Sequence, residues 1–150
     1  MCIRDSVNTL YNCLQRVVGR DYRGLIATAC WAHVNRAGGP GVALVLYDLT
    51  TLYFEAEKED DLRKVGMSKE RKVDPQITVG LLVARDGFPL DVHVFEGNKA
   101  ETKTLIPVIT AFQERHQVSD MVVVADAGML SAANLNALED AGLSLSLIHI

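Results

Sequence analysis

The hydrophobic pattern changes period partway along the chain. Val7–Val18 places Leu10, Leu14, Val17 and Val18 at helical spacing, and Tyr22–Asn35 forms a second helical stretch with Asp21 as its N-cap. Ala37-Gly-Gly-Pro-Gly41 breaks the pattern and marks an internal boundary. Beyond it the apolar residues come in strand-length runs. Val42–Phe54 predicts a first strand, Gln76–Ala84 a second and Leu90–Phe95 an alternating, half-exposed third, with Arg85-Asp-Gly-Phe88 as the hairpin turn between the last two. Between the first two strands, an acidic stretch over Glu55–Asp61 and a basic one over Arg63–Lys72 form a solvated excursion. Asn98 with Glu101 resembles a capping box, and Leu105, Val108, Ile109 and Phe112 mark one face of the following helix. Met121–Ala125 is the fourth strand. Ser131 caps a last helix bearing Leu135 and Leu138, which Gly142 can end.

The order after Gly41 is therefore β-β-β-α-β-α. Two hairpins followed by a right-handed crossover bring strand four beside strand one, parallel to it. That arrangement would set two carboxylates side by side. Asp48 interrupts Val42-Ala-Leu-Val-Leu-Tyr47, and Asp126 closes Met121-Val-Val-Val-Ala125. A carboxylate in or just after a buried strand is costly unless its charge is compensated. Two such groups about 4 Å apart repel by roughly 4 kcal/mol at an effective dielectric of about 20. A divalent cation between them reverses that sign. Spacing alone leaves two readings open: a Mg-binding acidic pair, or two unrelated strand-end aspartates satisfied by backbone N–H groups.

Composition narrows the classes. The chain has 150 residues, 49% hydrophobic and 23% charged, which suits one soluble domain with a real core. No apolar run approaches the roughly 18 residues of a membrane span, and Met1–Ser6 lacks the apolar region of a signal peptide. A net charge of −4 argues against a free-standing nucleic-acid module but not against the acidic catalytic part of a larger DNA enzyme. Cys2, Cys13 and Cys30 form no CxxC pair, so reduced thiols and a cytoplasmic location are expected. Met1–Ser6 and Leu145–Ile150 can be encoded by one DNA string read in opposite directions. The string resembles the mosaic-end adapter of tagmentation libraries. Residues 1–6 and 145–150 are therefore expected to be adapter-derived scars, flanking a helical segment over 7–36 and a catalytic unit over 42–144.

This order, with one acid on strand one and another closing strand four, resembles the ribonuclease H-like fold. The local blocks resemble insertion-sequence DDE transposases of the insertion sequence 4-like group. Tyr47-Asp48-Leu-Thr-Thr-Leu-Tyr-Phe-Glu55 is similar to their first catalytic motif, and Leu62-Arg-Lys-Val-Gly-Met-Ser-Lys69 with Gln76–Leu82 is similar to the segment that follows it. Phe95-Glu-Gly-Asn98 before a helix matches the next landmark, and Val122-Val-Val-Ala-Asp126-Ala-Gly-Met-Leu-Ser131 the second acidic motif. The resemblance covers about Val42–Gly142. It implies an α/β chain in which an incomplete ribonuclease H-like mixed sheet follows a helical N-terminal segment. It also implies Mg- or Mn-dependent cleavage and strand transfer on DNA, with homodimeric synapsis.

By that resemblance Asp48 and Asp126 are the first and second catalytic, metal-holding acids. The third, a Glu in a Tyr-x-x-Arg-x-x-x-Glu pattern, has no counterpart here, since the Ala-Leu-Glu139-Asp-Ala context does not match. In-line displacement at phosphorus with two ions about 3.5–4 Å apart explains why hard carboxylates are needed. With two acids of three, the chain alone is expected to be inactive, and a missing fifth strand would leave strand four with an unpaired edge.

Arg63, Lys64, Lys69, Arg71 and Lys72 could track DNA phosphates or form a solvated face. Thr50 and Thr51 could orient Asp48 or serve strand propensity. Gly97 and Asn98 fit a turn and helix cap. His33, His93 and His116 lack ligand spacing, and Trp31 fits a core position. Two rival functions remain. A haloacid dehalogenase-type phosphatase needs a second Asp where Thr50 stands, and the other rival is a non-catalytic ribonuclease H-like remnant, a scaffold degraded from a transposase.

Overall fold

The computed structural model describes residues 6–36, 43–56, 58–66, 74–118, 121–129, 131–140 and 144–148. The breaker at Ala37–Gly41, the basic residues Lys69, Arg71 and Lys72, and Gly142 lie outside them.

Helix α1 spans Val7–Gly19, and Ser6 caps it by accepting from the Thr9 N–H at 3.2 Å. Its apolar positions Leu10, Tyr11, Leu14 and Val18 are exposed, so amphipathic spacing here produces a helix without a buried face. Helix α2 spans Tyr22–Arg36. Asp21 holds its first turn as expected, accepting from Gly24 N–H at 3.2 Å. This helix lies along the edge of the sheet. Arg23 Nη1 donates to the Val92 carbonyl at 3.3 Å, and Trp31, half-buried, meets Phe112 edge-on with centroids 5.2 Å apart.

Five strands follow: β1 (Ala43–Tyr53), β2 (Gln76–Ala84), β3 (Pro89–Glu96), β4 (Met121–Asp126) and β5 (Ser144–Ile148). Their spatial order is β3-β2-β1-β4-β5. β1 is antiparallel to β2, with Tyr47 opposite Leu82, and β2 is antiparallel to β3. β1 is parallel to β4, with Val45 opposite Val123 and Tyr47 opposite Ala125, and β4 is parallel to β5. The β2–β3 turn forms where expected: Gly87 takes φ +86°, and Ala84 N–H donates to the Phe88 carbonyl at 2.8 Å.

One face of this sheet carries the core. Val45, Tyr47, Leu82, Met121, Val123 and Ala125 pack against Leu105, Val108, Ile109 and Phe112 of α3 (Leu105–His116) and Leu138 of α4 (Ala132–Asp140). The predicted apolar face of α3 is thus the one it buries. The other face stays open over Leu52, Leu81, Val92 and Val94, all at least 37% exposed.

Three expectations are corrected. First, β4 has no unpaired edge, because Ser144–Ile148 pairs with it in parallel register, Val122 opposite Ser144 and Asp126 opposite Ile148. Residues 145–148, at the carboxyl end, supply four positions of this fifth strand. Free N–H and C=O groups along β4 would otherwise lack partners there. Second, Asn98 and Glu101 do not cap α3. Glu101–Lys103 is a 3-10 turn, and the helix starts at Leu105 after Thr104, whose hydroxyl donates to the Glu101 carbonyl at 2.7 Å. Third, β3 alternates in the opposite phase to its hydropathy. Asp91 is buried and His93 half-buried, while Val92 and Val94 face out. Asp91 is held inside by Arg115 of α3 at 2.7 Å and His93 at 3.2 Å. Burial pushes its carboxyl up, but the hydrogen bond and charge of His93, the Val92 N–H and the Arg115 charge outweigh that and leave it below its ordinary value.

Candidate functional site

Parallel pairing of β1 with β4 determines where the two aspartates stand. The paired register runs to Tyr47 opposite Ala125, and one residue further on each strand come Asp48 and Asp126. Adjacent strands lie about 4.8 Å apart, and side chains alternate between faces. Tyr47 and Ala125 point into the core, so Asp48 and Asp126 share the opposite face. Both are exposed. Two positions far apart in sequence are thus neighbours on the open side of the central strands.

A local contact orients Asp48, and the chain turns closely past Asp126. Leu49 N–H donates to Asp48 Oδ1 at 2.8 Å. Beyond Asp126 the chain turns through the 3-10 segment Ala127–Met129, and a Cβ on Gly128 would sit 3.6 Å from Asp126 Oδ2. Behind Asp48, the buried Tyr47 ring lies against Gly80, where a Cβ would meet the phenol oxygen at 2.5 Å. Burial, opposed by the adjacent Thr104 hydroxyl and reinforced by the Asp48 charge, pushes the Tyr47 phenol up to about 12. Although Thr104 is adjacent, the Tyr47 hydroxyl has no partner at hydrogen-bonding geometry, and Thr104 donates instead to Glu101.

The donor set suits a hard divalent cation in type: two carboxylates, exposed enough to leave room for waters. Among the described residues no cluster of three or more His, Cys, Asp or Glu side chains is placed to hold a metal. His93 is engaged with Asp91, His33 lies 5.1 Å from the Phe88 ring, and His116 lies 4.6 Å from Phe112. Burial, then the Arg115 charge, holds His116 below its ordinary value against the pull of Asp91. Glu139 is exposed on α4.

The basic candidates are not gathered at the carboxylates. Lys64 forms a backbone bridge with Gln76, which pairs with Tyr53. That is five positions along β1 from Asp48, about 17 Å at roughly 3.4 Å per residue. Arg63 is engaged by Asp60 at 2.6 Å and lies over the Phe54 ring. Hydrogen bonds from the Arg63 and Leu62 N–H groups and the Arg63 side chain lower the Asp60 carboxyl to about 2. Gly97 has a stricter role than a turn: its N–H donates to Leu62 O at 3.2 Å, and a Cβ there would collide with the Gln76 and Lys64 carbonyls. Thr50 is exposed beside Asp48 on the same face, and Thr51 is half-buried. Sequence reasoning missed two polar anchors, the Asp91–Arg115 pair and Asn134. A carboxylate at an apparently outward position of β3 was the available signal for the first.

Three antiparallel strands continued by two parallel ones, with an acidic pair at the β1–β4 junction, define a mixed α/β domain of the ribonuclease H-like type. The antiparallel β1-β2-β3 half is not the parallel sheet a haloacid dehalogenase-type phosphatase requires. The family described as the Transposase DDE domain matches residues 43–149, and the chain belongs to that family. Similar solved structures include the Mos1 transposase paired-end complex with the left transposon end (11% identity, TM-score 0.47). It covers 82% of this chain and 40% of that one. The Mos1 mariner paired-end complex with Mn is 12% identical, with a TM-score of 0.45 over 85% of this chain and 41% of that one. The Mos1 strand transfer complex is 8% identical, at 0.43 over 85% and 41%. The chain thus spans about two fifths of the length of these structures. No curated protein matches it. Among the described residues no helix is long and apolar enough to cross a membrane.

Proposed function

We propose that this chain is catalytic-domain sequence of a DNA transposase of the insertion sequence 4-like group, acting through Mg or Mn. The observation that carries the reading is the adjacency of Asp48 and Asp126 on one exposed sheet face. Two of the three acids implied by the resemblance are present. When bound, the divalent ions favour an attacking oxygen and offset charge on the leaving one.

The chain's own residues do the positioning. Strand pairing sets the spacing of the two carboxylates, and Leu49 N–H orients Asp48. The open face gives a phosphodiester access without disturbing the core. Water is the nucleophile for nicking and a DNA 3′-hydroxyl for joining. DNA is the partner, with the protein acting as a homodimer in the cytoplasm, where the free Cys13 and Cys30 suit a reducing medium. Arg63, Lys64, Lys69, Arg71 and Lys72 contact flanking phosphates. Lys64 is the best placed of those described, because Arg63 is already paired.

Titration of the purified chain with Mn2+ tests this reading. The parent is expected to bind, and Asp48→Asn and Asp126→Asn are each expected to lose binding. Undiminished binding in both variants would overturn it.

A further inference from the structure

We propose that Asn134 is the positioning residue for Asp126: it fastens the turn after β4 to the turn after β3, so that the carboxylate is held where a cation can use it. This inference rests on reading Asp48 and Asp126 as the cation site.

The backbone leaves strand pairing directly after Asp126 and enters the 3-10 turn Ala127–Met129. Gly128 in that turn lies under the Asp126 carboxylate. A segment without ladder hydrogen bonds must be located by other groups, and here Asn134 supplies them. It is 8% exposed, in the first turn of α4, with its own N–H taken by Ser131 Oγ at 3.1 Å. Its side-chain amide has two N–H donors. Nδ2 donates to the Met129 carbonyl at 2.9 Å and to the Thr102 carbonyl at 2.5 Å.

Neither acceptor belongs to α4, so the side chain does not serve its own helix. Met129 closes the turn that follows Asp126. Thr102 lies in the 3-10 turn that leads to the fully buried Thr104, and Thr104 sits beside Tyr47, the residue before Asp48. A single amide therefore joins the segment next to one acid to the segment behind the other. An aspartate or a leucine at this position would have no N–H to offer to either carbonyl. Groups bonded directly to a metal-holding side chain change metal affinity by about 10–100-fold when removed, and Asn134, which acts through the turn, falls at the lower end of that range.

The test is Mn2+ binding to the full 150-residue chain, followed by electron paramagnetic resonance, with melting temperature recorded for each variant. Asn134→Leu and Asn134→Ser are expected to bind about tenfold more weakly than the parent, or worse. Asn134→Ser serves if the leucine variant fails to fold. Leu138→Ala, which removes core packing from the same helix, is expected to lower the melting temperature and leave affinity unchanged. Parent-like affinity in the Asn134 variants would overturn the proposal. So would equal weakening in Leu138→Ala, which would make the effect one of general stability. If the parent binds no better than Asp126→Asn, the cation-site reading fails and this proposal goes with it.

Discussion

Replacing Arg115 by leucine is expected to destabilise the fold by about 3 kcal/mol at pH 7. The Asp91 side chain is 1% exposed and Arg115 27% exposed, with 2.7 Å between Nη1 and Oδ2. Removing one member of a buried pair costs about 3–5 kcal/mol, because the remaining charge is left in a poor solvent. The partial exposure of Arg115, and His93 at 3.2 Å from the same oxygen, place the loss at the lower end. In a chain of this size that corresponds to a fall in Tm of about 6–12 °C. The loss should depend on pH. Asp91 is held below its ordinary value, so its contribution is fully present above about pH 3.9 and is lost as the pH falls through the folded value. Without Arg115, burial has less opposition and the carboxyl rises. The deficit is then largest at neutral pH and shrinks toward pH 4, as the variant's Asp91 takes up a proton. Urea unfolding at both pH values measures it, and adding Asp91→Asn to Arg115→Leu should restore part of the loss. A deficit below about 1 kcal/mol, equal at pH 7 and pH 4, would refute the assignment of Arg115 as the compensating charge.

Four other outcomes are expected. His116 is held below its ordinary value, so stability should fall as the pH drops below about 6.5, and His116→Phe should flatten that part of a Tm-against-pH curve. Gly80→Ala should cost about 1–3 kcal/mol by chemical unfolding, since the added methyl meets the buried Tyr47 ring. Tyr47→Phe should cost no more than about 0.5 kcal/mol, because the hydroxyl it removes has no partner; a loss above about 1 kcal/mol would show that Thr104 does bind it. The purified chain should not cut plasmid DNA, since it carries two of the three expected acids; efficient Mn-dependent cleavage would contradict that.

The sequence conveyed those features that depend on period and local chemistry. Helices α1 and α2, the Gly87 turn, the Ser131 cap and the buried face of α3 follow from spacing and from residues with one strong local preference. The adjacency of Asp48 and Asp126 was legible because a crossover connection between parallel strands leaves few topologies. Features set by distant partners were not. Asp91 can face inward because His93 and, 24 residues later, Arg115 meet its carboxylate. Gly97 is needed because the Lys64 and Gln76 backbones close on it. Asn134 looks like any polar residue of a short helix until its two carbonyl partners are seen. The capping-box pattern at Asn98 lost to a 3-10 turn, and the place of β5 is set by pairing with the distant β4.

Asp48 and Asp126 extend from the side of the sheet that α3 and α4 do not touch. Neutralising either charge therefore leaves the interior intact, and the Asp48→Asn and Asp126→Asn variants should fold as well as their parent. A loss of cation binding in such a variant can then be read as loss of the site itself, with the same scaffold in both measurements.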